Sequence, residues 1–434
     1  MQSIWSSDRE EISDTSKTLR GDLHTDVLII GGGLAGILTA HQLKAAGVSC
    51  VVAEAKKIGG GVTCNTTAKI TAQHGLIYDK LIKSRGPELA RQYYEIHQRA
   101  VGQYRTLAEQ FPCDFVEQTA YVYSTDGRRK LEQERAAYER LGIPFHWQEN
   151  PPIPVQTAGA LGMERQARFH PLKLFYALTQ GLDLYEDTFI TKIEGNRAVS
   201  EHGTITAKRI ILCTHFPLVN VPGAYFMKLY QHRSYVIALE DGSALGGMYI
   251  DEREDGLSFR NQQNYLLIGG GGHKTGKKGG GFAALRDFAT KAYPNLTERY
   301  AWATQDCMSL DGVPYIGLHQ KSAPQLLVAT GFNKWGMTGS MAAALVLRDL
   351  IATGESEYEA LFSPQRSMFS RQLFINMASS AGNLLRPGKR CPHMGCALRW
   401  NKIEKTWDCP CHGSRFDQKG NLITGPAKRG IRNE

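Results

Sequence analysis

The chain has 434 residues, 42% of them apolar, and a formal net charge of +9. That is enough material for a two-lobed core with a small appendage. No apolar run reaches the roughly 18 residues that span a bilayer, and the polar start lacks the apolar h-region of a secretory signal, so a cytoplasmic protein without a transmembrane segment is expected. From Arg386 onward eleven Lys and Arg stand against four acids, so most of the excess positive charge belongs to the last 49 residues. Nucleic acid is a usual partner of such a surface, but no recognised binding motif accompanies it and none is expected.

Residues 1–22 read as a polar extension. Residues 26–30 (DVLII) then form a short β-branched run, the mark of a buried parallel strand, leading straight into Gly31-Gly-Gly33-Leu-Ala-Gly36. Helical spacing follows through Ile37, Ala40, Leu43 and Lys44 and stops at Gly47; a second apolar strand ends in Glu54. Each part has a job at a dinucleotide: Gly31 permits the tight turn, Gly33 lets backbone approach a pyrophosphate, and Gly36 packs helix on strand. The helix start attracts phosphate charge, and an acid at Glu54 can hold a ribose hydroxyl.

Residues 79–110 read as helical, as do 128–141, and His170-Pro171 opens another helix. Strands are expected at 188–194 and 203–215, then several over 225–270 suited to an antiparallel sheet. The glycine-rich stretch 269–281 imitates a phosphate loop at Gly271-x4-Gly276-Lys277, but Lys278 stands where a magnesium-binding hydroxyl belongs. A mobile basic loop near a substrate entrance is the expectation there.

Residues 58–71 (IGGGVTCNTTAKIT) resemble the flavin-contacting loop of the amine oxidase group that includes glycine oxidase, sarcosine oxidase and D-amino acid oxidase. The segments 302–317 and 326–338, with Asp311-Gly-Val-Pro and Gly331-Phe-Asn-Lys-Trp-Gly336-Met337-Thr338, resemble that group as well. The resemblance implies FAD, held through Gly61, Asn65, Thr66, Asp311, Gly331, Gly336, Met337 and Thr338 beside Gly31, Gly33, Gly36 and Glu54. It also implies a helix near Gly336 aimed at the flavin pyrimidine edge. Strand 203–215 ends Cys213-Thr214-His215, where the superfamily usually ends Ala-Thr-Gly.

The last segment reads C-P-H-M-G-C from Cys391 and C-P-C-H-G-S from Cys409. These boxes resemble the Rieske family, which implies that Cys391 and Cys409 hold one iron of a [2Fe-2S] cluster, that His393 and His412 hold the other, and that Cys396 and Cys411 form a disulfide. Two neutral imidazoles in place of thiolates raise such a cluster to roughly −150 to +300 mV. The resemblance places Ser414 where a hydroxyl donates to a bridging sulfide. Phe416 replaces a tyrosine of high-potential members, so an intermediate potential is expected. A structural zinc site, which normally pairs C-x2-4-C with H-x3-5-H, is the alternative, as is a disulfide pair without metal.

The fold class is therefore α/β plus α+β: a Rossmann-like FAD-binding domain (about 23–75, 150–222 and 300–355) and an antiparallel-sheet substrate domain (about 76–149 and 223–299). The oxidoreductase body runs 23–361. A linker or docking segment (362–390) and a shortened Rieske cluster-binding subdomain (391–434) follow, the cluster fixed against the flavoprotein rather than on a swinging arm.

The expected activity is oxidation of an amine or amino acid at a C–N bond by hydride transfer to flavin, electrons leaving singly through the cluster to an acidic carrier protein or a quinone. The family's carboxylate-binding arginine has no counterpart at residues 250–256. Candidate substrate contacts are Arg233, Tyr235, Tyr249 and Arg260, with His215, His232 and His273 as candidate bases. The rival reading is an electron-transfer or redox-sensing module that turns over no small substrate. A nicotinamide-linked reductase would need a second nucleotide domain, for which no sequence is left. Cys50, Cys64, Cys113, Cys213 and Cys307 follow no framework spacing and are expected as reduced thiols.

Overall fold

The computed structural model describes residues 2–6 and 16–431. Residues 1, 7–15 and 432–434, which include part of the expected N-terminal extension and the end of the cluster segment, lie outside the described residues.

The β-branched run forms strand Leu23–Ile30 at the centre of a nine-stranded sheet. It is flanked in parallel by Cys50–Ala53 on one side and Gly203–Leu212 on the other. Helix Leu34–Ala45 crosses between the first two strands, and all but one of its residues from Leu34 to Leu43 are buried. This explains why its sequence is apolar nearly all round, as befits a helix covered on every side. It packs against helix Gly336–Ala352, which is likewise buried from Met337 to Leu347. The first glycine turn is tightly built: a Cβ on Gly36 would lie 2.0 Å from the Gly31 carbonyl oxygen, and Gly31 itself has φ +114°.

The second nine-stranded sheet runs Thr297–Ser309, Leu229–Glu240, Tyr265–Lys274, Ser258–Gln262, Gly247–Asp251, Val116–Tyr123, Ala160–Arg168 and Lys69–Ile70, with His146–Gln148 at the side. It is antiparallel except where Gly247–Asp251 pairs in parallel with Val116–Tyr123. Residues 69–70, 160–168 and 297–309 thus pair within this sheet, although the sequence grouped them mostly with the FAD-binding parts. Apolar alternation does not say which of two sheets a strand joins; pairing does.

Local readings need three further adjustments. The helix expected over 79–110 is two, Ile77–Arg85 and Pro87–Gln110, because Gly86 adopts φ +85° and Pro87 contributes no amide hydrogen. Of residues 188–194 only Lys192–Glu194 is strand. The extension is not a mere polar tail: Ser16–Thr18 pairs with Asp183–Glu186, and Trp5 is fully buried, its indole N–H donating to the Thr66 carbonyl at 2.8 Å.

Helix Arg371–Leu384 occupies the expected linker, started by Ser370, whose hydroxyl accepts from the Leu373 amide. The four short strands Arg399–Asn401, Thr406–Asp408, Arg415–Phe416 and Leu422–Thr424 form a third sheet. Among the described residues no helix is long and apolar enough to cross a membrane.

Substituting Gly36→Ala forces a methyl group into the Gly31 carbonyl. The expected outcome is about 1–3 kcal/mol of lost stability together with weakened flavin retention, read by thermal unfolding and by flavin absorbance after gel filtration.

Candidate functional site

The N-cap of helix Leu34–Ala45 is Gly33, which offers no side chain; the Leu34 amide donates to the Thr63 hydroxyl at 3.0 Å, and the positive end of the helix dipole remains for an anion. Glu54 is set for a ribose by its own backbone contacts: the Gly32 amide donates to one carboxylate oxygen at 2.8 Å and the Lys56 amide to the other at 2.9 Å. Burial raises its pKa, against those amides. The loop carrying Gly61, Asn65 and Thr66 is held from both sides, because Trp302 donates to the Asn65 carbonyl at 3.1 Å and Trp5 to that of Thr66. Across from it, helix Gly336–Ala352 begins without a side-chain cap, and open space surrounds Gly336. Behind that start, Thr338 donates to the Thr71 carbonyl at 2.8 Å and meets His74, while Tyr104 donates to the Met337 carbonyl at 2.9 Å. Asp311 is taken by Arg366, 2.8 Å away, and accepts from the Val313 amide, so it braces the turn ahead of Gly331. Two helix starts whose N-cap residues make no side-chain cap, with Gly31, Gly33 and Gly36 at the first, fit FAD.

Several polar side chains lie deep in the fold yet keep part of their surface accessible: Lys69, His215, Asp306 and Lys334. Burial pushes Asp306 up to about 6, with Lys334 and Arg233 pulling the other way, and brings Lys69 down to about 7 with help from Arg260. Both values lie where protons exchange near neutral pH. Asp306, Lys69 and Lys334 stood inside quoted stretches of sequence but were not singled out. Only their depth in the fold reveals them.

The named candidates scatter. Arg260 is buried under Trp5, with its guanidinium carbon 5.6 Å from the ring centroid, and donates to Gln262 at 3.0 Å; its Nε has no partner. Tyr249 stacks on Tyr121 and donates to Gln148 at 3.1 Å. His215, in the left-handed region at φ +64°, meets the Gln231 carbonyl oxygen at 2.9 Å. His232 faces Glu254 at 3.5 Å, and His273 turns back to the Gly271 carbonyl. Arg233 and Tyr235 are engaged by the C-terminal segment, as described below, and so are not open to a small substrate.

In that segment Cys391, Cys409 and His412 are buried. The rings of His393 and His412 meet edge to face at 4.9 Å. His412 Nε2 lies 3.0 Å from the Phe226 carbonyl, which can only accept, so Nε2 carries the proton and Nδ1 presents a lone pair. His393 Nε2 lies 2.7 Å from the side-chain amide nitrogen of Asn220. Both Nδ1 atoms are buried without a partner, two unsatisfied ring nitrogens in one place. Burial lowers His393 to about 4 and His412 to about 3, which keeps both imidazoles neutral as iron ligation requires. The Cys391 and Cys409 thiols hydrogen-bond each other, which draws Cys391 down to about 7. Ser414 accepts from the Ala427 amide at 2.9 Å, leaving its proton for a sulfur on the Cys391 side. Cys396 and Cys411 form the expected disulfide. Although their sulfurs and that of Cys409 lie within 4.8 Å of one another, two of the three are spent on each other, so they are no metal set. The donor set Cys391, Cys409, His393 and His412 fits a [2Fe-2S] cluster with two imidazole ligands.

The cluster loops sit directly on the flavoprotein body. Gln305 donates to the Gly413 carbonyl at 2.9 Å, and a Cβ on Gly413 would collide with Gln231. The stretch 269–281 is not a free loop at a substrate entrance: Tyr265–Lys274 is strand, Gly276 packs on Pro410, and Gly281 packs on Ile403. Arg233 grips Glu404 with two hydrogen bonds, one of them 3.1 Å, and Tyr235 donates to Glu404 at 3.4 Å. Arg415 binds the same carboxylate at 2.7 Å and Asp408 at 3.1 Å. Burial opposes ionisation of Glu404, but the two arginines outweigh it and hold its pKa below the ordinary value.

A family model described as FAD dependent oxidoreductase matches residues 26–350, and one described as Rieske [2Fe-2S] domain matches 355–433. Putative Rieske 2Fe-2S iron-sulfur protein YhfW of Bacillus subtilis (strain 168) is 35% identical over 473 residues, covering 94% of this chain and 93% of that protein. Among solved structures, glycine oxidase from Geobacillus kaustophilus has a TM-score of 0.67 at 20% identity, covering 80% of this chain and 100% of that one. L-proline dehydrogenase from P.horikoshii has a TM-score of 0.67 at 17% identity, covering 80% and 98% respectively. At these identities the two structures show a shared fold.

Two outcomes check the site. His412→Ala should abolish the electron paramagnetic resonance signal of the reduced cluster while the flavin spectrum survives. Glu404→Gln leaves Arg233 buried without its counter-charge and should cost about 3 kcal/mol in urea unfolding. Because Glu404 has a lower pKa folded than unfolded, its stabilisation is complete well above the ordinary glutamate value of about 4.3 and drains away as pH falls through the lower folded value. The variant should lack that acid-side loss.

Proposed function

Because the chain belongs to the FAD dependent oxidoreductase family, of amino acid oxidase type, and carries a Rieske [2Fe-2S] domain at its C-terminal side, we propose that it oxidises a C–N bond of an amine or amino acid and exports the electrons one at a time. Bound FAD supplies the two-electron acceptor for the substrate hydride, and the cluster supplies a one-electron outlet. The observation that carries this reading is the direction in which the cluster histidines point: both Nε2 edges meet the flavoprotein, at Phe226 and Asn220. A cluster serving only an outside donor has no need to bury that face.

The chain's own residues divide the remaining work. Lys69, which keeps part of its surface accessible, takes up a proton to seat a substrate carboxylate, whose charge would offset the burial and the Arg260 repulsion that lower its pKa. Asp306 holds or releases a proton near neutral pH, so it is the group to accept one from a substrate ammonium, which must be neutral at nitrogen before hydride leaves the adjacent carbon. Lys334, beside Asp306 and hydrogen-bonded to the Glu254 carbonyl at 2.9 Å, keeps that carboxylate ionised. Water then hydrolyses the released imine. The acceptor fits the classes expected from the charge, an acidic carrier protein or a quinone.

The test is anaerobic mixing with a panel of amines, N-methyl amino acids and D- and L-amino acids while flavin absorbance is followed. One of them should bleach the flavin. If none does and a reduced electron carrier does, the protein is a redox module without small-substrate turnover. With the active substrate, Asp306→Asn should lower kcat/KM about 100-fold and erase the limb of the pH profile near 6. Cys391→Ser should leave bleaching intact and slow cytochrome c reduction at least about tenfold, because the outlet is missing.

A further inference from the structure

Helix Arg371–Leu384 is built inside out. Its inward face carries Leu373 together with Asn376, Ser379 and Asn383, of which Asn383 donates to the Ser379 carbonyl and Ser379 meets Lys274. Its outward face carries Phe374, Met377 and Leu384 at helical spacing, continued by Leu385 beyond the helix and preceded by Phe369. Phe374 is 62% exposed, and Phe369 and Leu385 are each 87% exposed, among the described residues. A surface helix of a self-contained protein turns its apolar stripe inward, so the reversed one is meant for something else.

Two observations identify what covers it. First, no Asp or Glu occurs anywhere between Glu359 and Glu404, whereas Arg371 stands at one end of the stripe and Arg386, Lys389 and Arg390 stand exposed at the other. A second copy of this chain is thereby disfavoured, since a two-fold pairing of the stripe on itself would set these cations against one another with no acid between them. An acidic carrier would satisfy the cations but leave a row of Phe, Met and Leu against a polar surface. Second, an apolar stripe with basic flanks on a short helix matches a helix lying in the interface of an anionic bilayer, which takes the apolar side chains into its acyl boundary and the cations at its headgroups. The geometry points to anionic lipid as the occupant, with the protein bound peripherally.

This placement has a bearing on the cluster. The helix ends against the first cluster box: the Ala397 amide donates to the Asn383 carbonyl at 2.9 Å, and Arg390 bridges the Leu384 and Gly395 carbonyls. Met394, in the same box, is 40% exposed. The box that supplies Cys391 and His393 would thus rest at the membrane surface, with the histidine edges still turned to the flavoprotein. The docking itself is independent of which substrate the flavin site takes.

Flotation of the full-length protein, with flavin and cluster in place, on vesicles of phosphatidylcholine with and without phosphatidylglycerol tests the assignment. The protein should float with the anionic vesicles, stay down with phosphatidylcholine alone, and come off as salt is raised. Phe374→Ser and Leu385→Ser should each weaken the binding about tenfold while flavin and cluster spectra are unchanged, because both side chains are exposed and support no packing. Failure to float with either vesicle overturns the assignment. A gel-filtration dimer that Phe374→Ser dissociates would give the stripe to a second copy. Saturable binding of an acidic [2Fe-2S] ferredoxin that Leu385→Ser abolishes, without vesicle binding, would give it to a protein carrier.

Discussion

One buried carboxylate, Glu404, holds two otherwise separate bodies in register. It is reached by Arg233 from the long strand Leu229–Glu240 and by Arg415 from the small C-terminal sheet. Such a bridge is expensive to bury and adds little net stability compared with apolar packing. What it supplies is a fixed point of fit: Arg415 holds Glu404 in place within the small sheet, and Arg233 receives it on the body. Arg233 also contributes to the field at Asp306, so the residue that seats the iron-sulfur loops is felt at a second buried carboxylate.

Around this bridge the contact is made close by missing side chains. Gly276, Gly281 and Gly413 each meet the other body at a distance that leaves no room for a Cβ. The glycine backbone therefore comes up against Pro410, the Ile403 side chain and the Gln231 side chain, and the two histidine edges come to rest on Phe226 and Asn220. The disulfide between Cys396 and Cys411 ties the two cluster loops to each other, and the glycine contacts tie them to the body.

Most of the cofactor architecture was legible in the sequence because it is local. Strand, glycine turn, helix and Glu54 lie within about 30 residues, and the two cluster boxes carry their ligands at fixed offsets. The interface was not legible. Arg233 looked like a substrate arginine and the run 269–281 like a loose basic loop, because nothing near either one announces Glu404 or Pro410, more than a hundred residues away. The sheet membership of residues 160–168 and 297–309 failed for the same reason: a strand's pattern records that it is covered, not by whom. Asp306 and Lys69 were hidden differently, since a charged residue in a strand reads as solvated until depth in the fold is known.

Trp5 shows what such distant dependence means for the order of assembly. Its seat is made by the Thr66 carbonyl, the edge of His170 and the guanidinium of Arg260, residues far apart along the chain. Trp5 therefore cannot settle until partners far along the chain are in place. Until residue 260 has been synthesised and placed, the indole lacks a complete seat, and its eventual burial acts as a latch that closes behind the finished flavoprotein body.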